Sequence, residues 1–198
     1  MKTPLSLAIA TALLPLTLWA EFAVQSYQKL KNDTLIRQNY EQSCGAASLA
    51  TLLNLSNFKQ FNEIDILTVM SENELRTDMV SFTDLMNALN KLDYESSAYQ
   101  ITRQSLDKLI DIPLLVKIED DPRFPHFVVI INKGGGFLQV FDPSFGKYIS
   151  SKRQFLSVWD KDNKGGFALI VLPKGEWRKE NLNLPDKLHF EFTPFKFF

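Results

Sequence analysis

The apolar residues of this chain change their period near residue 112, and that change constrains the fold more than any other feature. Before it they recur at helical spacing: Leu49, Leu52 and Leu53 after Cys44, then Phe61, Ile64, Leu67 and Val69/Met70, then Phe82, Leu85, Met86 and Leu89. After it they fall into short continuous runs, PLLVKI over 113–118, FVVII over 127–131, FLQVF over 137–141 and FALIVL over 167–172. Runs of that length and β-branched content read as strands. Helices first and antiparallel strands afterwards predict an α+β fold, with N-terminal helices packed on a C-terminal sheet. A chain of 198 residues suffices for one hydrophobic core.

Local signals refine the boundaries. The helix that opens at Cys44 runs to about Asn54, and a second fits 61–70. Ser81, with Asp84 three residues on, starts a third that reaches about Leu92. A short strand spans Glu95–Ile101, and Thr102 caps a helix carrying Leu106, Leu109 and Ile110. Lys133–Gly136 is a glycine-rich hairpin turn, Ser151 caps a helix to Trp159, and Gly165–Gly166 precede the last strand. Residues 21–37 carry no strong pattern and read as a lead-in. The folded domain is expected over 38–172, followed by a tail over 173–198 that ends HFEFTPFKFF.

At the other end, Lys2 precedes an apolar run from Pro4 to Ala20 interrupted only by Ser6, Thr11 and Thr17. This has the make-up of a secretory signal peptide over 1–20, cleaved after Ala20, and predicts a periplasmic protein. The run is short for a membrane span and contains Pro15, so membrane contact is expected only through an uncleaved signal. The net charge of −1 gives no footprint for nucleic acid, and none is expected as a partner. One Cys and two His make no structural zinc site, and neither metal nor cofactor is expected.

An unpaired cysteine in an exported protein cannot be a disulfide staple within its own chain. Cys44 stands where a helix begins, and the unpaired N–H groups and positive dipole end there stabilise a thiolate. A small buried hydrophobe is the competing role. A cysteine nucleophile needs a base, a group that orients the base, and oxyanion donors. Of the two histidines, His126 opens the strand HFVVII, whereas His189 lies in the tail. Asp142 closes the next strand, so a hairpin turning at Lys133–Gly136 brings His126 and Asp142 to the same end of the sheet. There Asp142 can fix the imidazole tautomer. Alone it would read as an Asp-Pro turn. The backbone N–H of Cys44 supplies one oxyanion donor. Gln38 and Gln42 both precede it, and Gln38, six residues before, has room to loop back.

The order Gln38, Cys44-Gly45-Ala46-Ala47, Pro125-His126-Phe127 and Asp142-Pro143 resembles the bacteriocin-processing, double-glycine peptidase family of papain-like cysteine proteases. The likeness extends from about Gln38 to Leu172. It implies a papain-like fold, with Cys44 as nucleophile, His126 as general base, Asp142 as orienter and Gln38 as oxyanion donor. It also implies a peptide or protein substrate, a leader or linker cut after a Gly-Gly pair. The best-known members are N-terminal domains of ABC exporters, but this chain has no phosphate-binding Gly-rich Lys-Ser/Thr loop, so ATP is not expected as a ligand. It is more similar to stand-alone exported members, some of which accompany secretion systems for surface or amyloid fibres. A non-cleaving module that binds a secretion substrate is the alternative, and acyl transfer by the same residues a third reading. The chain's own Gly-Gly pairs, at 134–136 and 165–166, read as turns.

Overall fold

The computed structural model describes residues 26–56, 59–71, 80–118 and 126–172. The signal segment, the tail with His189, and Pro125 lie outside the described residues. Among the described residues, six helices and six strands follow in the order α1 (Tyr27–Asn32), α2 (Cys44–Leu55), α3 (Glu63–Met70), α4 (Phe82–Lys91), β1 (Glu95–Ile101), α5 (Arg103–Lys108), β2 (Pro113–Ile118), β3 (His126–Asn132), β4 (Phe137–Asp142), β5 (Gly146–Ser151), α6 (Lys152–Trp159) and β6 (Gly166–Leu172). The strands form one antiparallel sheet in the order β1-β6-β2-β3-β4-β5.

Both faces of this sheet are covered, which is why its central strands read as unbroken apolar runs rather than alternations. Phe127, Val129 and Ile131 of β3 face α2, α3 and α4, while Val128 and Ile130 face Phe155 and Trp159 of α6. The helix α2 is buried along its whole length except at Asn54, as expected of a segment apolar on every side. Its small residues let it approach the other layers. A Cβ on Gly45 would sit 2.2 Å from Val80 Cγ2 and 3.4 Å from the ring of Phe127. Its polar residues are satisfied within the core: Ser48 Oγ donates to Phe127 O at 2.9 Å, and Thr51 Oγ1 accepts from Ile36 N at 3.0 Å. The first of these bonds ties α2 to the strand residue next to His126.

The remaining helices start where their caps place them. Asn62 with Asp65 and Ser81 with Asp84 form reciprocal capping boxes, and Thr102 and Ser151 each accept from the third residue beyond. One expectation needs correction, and two elements leave no signature in the sequence. The apolar face of α3 is Ile66 and Leu67, not Ile64, which is 54% exposed; the helix is rotated so that Glu63 points inward. The lead-in contains α1, which buries none of its residues and so leaves no apolar signature. Residues 146–151 form β5, an edge strand whose Tyr148 and Ile149 stay partly exposed and whose Ser150 is buried, which breaks the alternation that marks strands in sequence.

The glycine pairs are turns. Gly134, Gly135 and Gly165 have φ of 85°, 66° and 98°. Gly166 is needed for space: a Cβ there would stand 2.2–2.5 Å from the indole atoms of Trp159, whose Nε1 donates to Phe167 O at 3.0 Å. Gly166→Ala is expected to force the indole off its rotamer and cost about 1–3 kcal/mol, read as a lower urea midpoint at unchanged m-value.

Candidate active site

Cys44 is the first residue of α2 and is 6% exposed at the base of the helix N-terminus. Ser43 precedes it as N-cap without a side-chain cap bond, so the N–H groups of the first turn of α2 find no acceptor in that side chain. His126 begins β3 and Asp142 ends β4. The register pairs Val129 with Phe141, which sets Asp142 beside Val128 and on the same face as His126. Across this hairpin His126 Nε2 lies 2.9 Å from Asp142 Oδ1. The same oxygen accepts the backbone N–H of Ser144 at 2.7 Å and of Phe145 at 3.0 Å, so the Asp-Pro turn and the pairing with histidine are one construction.

Cys44 is the second group whose electrostatic interaction bears on the ring. Burial by itself would lower the His126 pKa, but hydrogen bonds to Asp142 and Cys44, with the charges of both, raise it from 6.5 to about 9. For Asp142, burial pushes the pKa up, but the hydrogen bond and charge of His126, and the two turn N–H groups, hold it below its ordinary 3.8. Tyr148 is pushed up to about 12 by burial and by the Asp142 charge, so it stays a neutral phenol.

These directions fix a pH window. The raised pKa of His126 contributes stability that is complete below pH 6.5 and is lost as pH rises through about 9. The lowered pKa of Asp142 contributes stability that is present above pH 3.8 and is lost as pH falls through its folded value. Thermal unfolding midpoints of the wild type should therefore fall between pH 7 and 9.5 more steeply than those of His126→Ala.

Gln38 lies beside the same turn. Its backbone N–H donates to Pro143 O at 3.1 Å, and its Oε1 accepts from Ser144 Oγ at 2.8 Å. Its Nε2 donates to Tyr40 O at 3.2 Å and Glu41 O at 3.3 Å. The structure therefore brings Gln38, Cys44, His126 and Asp142 to one locus, and it places both amide hydrogens of Gln38 on the loop leading to Cys44. A cavity of about 750 Å³ opens next to His126 and Asp142, walled by Ile118, Val140, Phe145, Tyr148 and Phe155.

The family model that describes the Peptidase C39 family matches residues 32–173, from the end of α1 to just past β6. The chain belongs to the Peptidase C39 family. This is a family of cysteine-type peptidases, and the double-glycine peptidase resemblance named from the motifs is the same one. Among its relatives is "Probable functional amyloid protease FapD" of Pseudomonas fluorescens, 28% identical over 156 residues, covering 77% of this chain and 66% of that protein. The fold is that of the peptidase domain of Streptococcus ComA, a bi-functional ABC transporter, at TM-score 0.59 and 20% identity over 71% of this chain and 98% of that one. It is equally that of a double glycine motif protease from an AMS/PCAT transporter, solved with a leader peptide, at TM-score 0.55 and 22% identity over 70% of this chain and 90% of that one.

Sequence reasoning missed Ser144 and Glu63. Ser144 follows the Asp-Pro pair and anchors Gln38. Glu63 was hidden because a charged residue at a helix start reads as a solvated dipole partner. Only its twofold burial, by α3 and by the loop before Cys44, distinguishes it. Among the described residues, no cluster of three or more His, Cys, Asp or Glu could hold a metal ion, and no helix is long and apolar enough to cross a membrane.

Proposed function

We propose that this C39 family member is an exported cysteine endopeptidase that cuts a leader or linker peptide after a Gly-Gly-type site in a secreted substrate or a component of a secretion system. The observation that carries the reading is the imidazole of His126 bonded to Asp142 at 2.9 Å, with its pKa raised to about 9 by Asp142 and Cys44. At neutral pH such a ring is protonated, which suits a thiolate–imidazolium pair. In the reaction, Cys44 Sγ attacks the carbonyl carbon of the scissile bond, and the C–O electron pair moves onto oxygen. The oxyanion is received by the Cys44 backbone N–H and the Gln38 amide. Collapse of the intermediate breaks the C–N bond as His126 Nδ1 passes its proton to the leaving amine. Neutral His126 then takes a proton from water, which attacks the thioester and returns the thiolate. Asp142 keeps the ring in position throughout.

The contacts of Gln38 Nε2 with Tyr40 O and Glu41 O, 3.2 and 3.3 Å, are long for N–H···O bonds, so a charged oxyanion competes for the amide on favourable terms. Gln38→Ala is expected to lower kcat by about 10²–10³ with KM little changed, since the donor acts on the transition state. The Gly-Gly preference is supported by the double glycine motif protease of similar fold, and a fibre-related substrate by the amyloid protease relative. Export is supported by the apolar run over 4–20.

The test is cleavage of synthetic peptides bearing Gly-Gly, Gly-Ala or Ala-Ala at one position, with products mapped by mass. Cutting after Gly-Gly at least tenfold faster than after Ala-Ala is the expected result. No cutting of any of the three, by protein whose Cys44 is alkylated readily, would sink the reading. Fractionation of producing cells should recover the chain, shortened by 20 residues, from the periplasm.

A further inference from the structure

Glu63, the first residue of α3, is 2% exposed. Burying a carboxylate is costly unless a cation or several donors meet it. Among the described residues, the donors that meet Glu63 all come from the five residues between Gln38 and Cys44. Asn39 N donates to Oε1 at 2.9 Å and to Oε2 at 3.1 Å, and Asn39 Nδ2 donates to Oε2 at 2.6 Å. Ser43 Oγ makes a short hydrogen bond to Oε1 and lies 2.8 Å from Tyr40 O, sharing its single hydrogen between them. Asn39 adjoins Gln38, and Ser43 adjoins Cys44. One carboxylate thus grips both ends of the loop.

The middle of that loop holds the rest of the arrangement. Tyr40 O and Glu41 O are the acceptors on which Gln38 Nε2 rests, and Tyr40 N donates to Ser43 Oγ at 3.3 Å. Glu63 is in turn fixed from behind. Asn62 and Asp65 cap α3 reciprocally, and Ile66 and Leu67 pack in the main core. Packing alone does not require a charge at this place, because an apolar or amide side chain of similar size would fill it at lower desolvation cost.

We propose that Glu63 is a positioning residue that sets the separation of Gln38 and Cys44, and with it the geometry of the oxyanion hole, by clamping Asn39 and Ser43 at once. The assignment rests on the endopeptidase reading above. It concerns the two groups that stabilise the oxyanion and leaves the Cys44–His126–Asp142 contacts untouched.

The experiment compares wild type, Glu63→Ala, Glu63→Gln, Asn39→Ala and Cys44→Ala. It measures kcat and KM on a Gly-Gly peptide, the iodoacetamide alkylation rate of Cys44, and the thermal midpoint. Glu63→Ala should lose about 10–100-fold in kcat with KM within about twofold, since a shift near 1 Å in a catalytic group costs about 10²-fold. Alkylation uses no oxyanion hole and should stay within about threefold of wild type. Glu63→Gln should recover kcat to within about threefold, because its oxygen can accept from Asn39 and its amide can donate to Ser43 Oγ. Asn39→Ala, which deletes one bond of the clamp, should lose about tenfold in kcat and keeps the test decisive if Glu63→Ala does not fold. A wild type that cleaves, with Glu63→Ala or, failing its folding, Asn39→Ala retaining kcat well below the thermal midpoint, would overturn the role of Glu63 alone. Alkylation and kcat falling in parallel with the folded fraction would overturn it too. A wild type that cleaves nothing would overturn the endopeptidase reading and the clamp together.

Discussion

Cys44→Ala is expected to abolish peptide cleavage, a loss on the order of 10⁶-fold or to the detection limit, with the fold retained. In the proposed mechanism the nucleophile has no substitute, because the chain contains one cysteine. The structural cost is small. Cys44 sits at the first turn of a helix already pinned by Ser48 to β3 and by Thr51 to residue 36, so removing Sγ leaves a cavity of one atom, worth about 1 kcal/mol. The variant carries a second signature. Cys44 is among the groups that raise the His126 pKa, so its loss should move the imidazole titration acidward from about 9, observable by NMR of the ring protons. An inactive variant with a wild-type imidazole titration would contradict the proposed thiol–imidazole coupling. A variant that still cuts would remove Cys44 from the mechanism altogether.

The second large effect belongs to Asp142, and two substitutions separate its duties. Asp142→Ala removes the partner of His126 Nε2 and leaves the N–H groups of Ser144 and Phe145 without their acceptor. Each orphaned donor costs about 1–3 kcal/mol, so the turn should loosen and kcat should fall by about 10³–10⁴. Asp142→Asn keeps an oxygen that can accept all three donors but removes the charge. Cleavage should persist at a reduced rate, and the alkaline limb of kcat/KM should shift from near pH 9 toward the ordinary histidine range. The sign follows from the pairing: without the carboxylate the protonated ring loses a stabilising charge and deprotonates at lower pH. An alkaline limb unmoved by Asp142→Asn would assign that limb to another group.

How far the sequence exposes this site depends on what each residue does locally. Cys44 is legible because small residues and a leucine stripe follow it. His126 and Asp142 are legible because hairpin arithmetic around a glycine turn needs no knowledge of the rest of the sheet. The structure supplies the bond between them and adds that the Asp-Pro turn, which reads as a competing explanation of Asp142, is what holds its carboxylate in place. Gln38 is legible only by spacing, and its anchor Ser144 lies 106 residues away in the chain, beyond any local pattern. Glu63 illustrates the opposite failure. The apolar spacing of α3 puts Ile64 inside, but four hydrogen bonds from the Cys44 loop outweigh the burial of one isoleucine, worth about 2 kcal/mol, and turn the helix the other way. Likewise α1 and β5 lie at the margin of the fold, where little apolar surface is covered and periodicity carries little information.

The strand order has a consequence for how such a chain reaches its working state. Among the described residues β6 is last in sequence yet lies between β1 and β2, so β1 pairs there only with residues 166–172. Contacts that join residues 95–101 to 166–172 have large sequence separation and form slowly. A chain emerging residue by residue can assemble the β2–β5 meander early, but it cannot complete the sheet until its C-terminal strand is free to insert. A chain cut short of β6 would therefore carry Gln38, Cys44, His126 and Asp142 and still lack the strand that closes the sheet under α2.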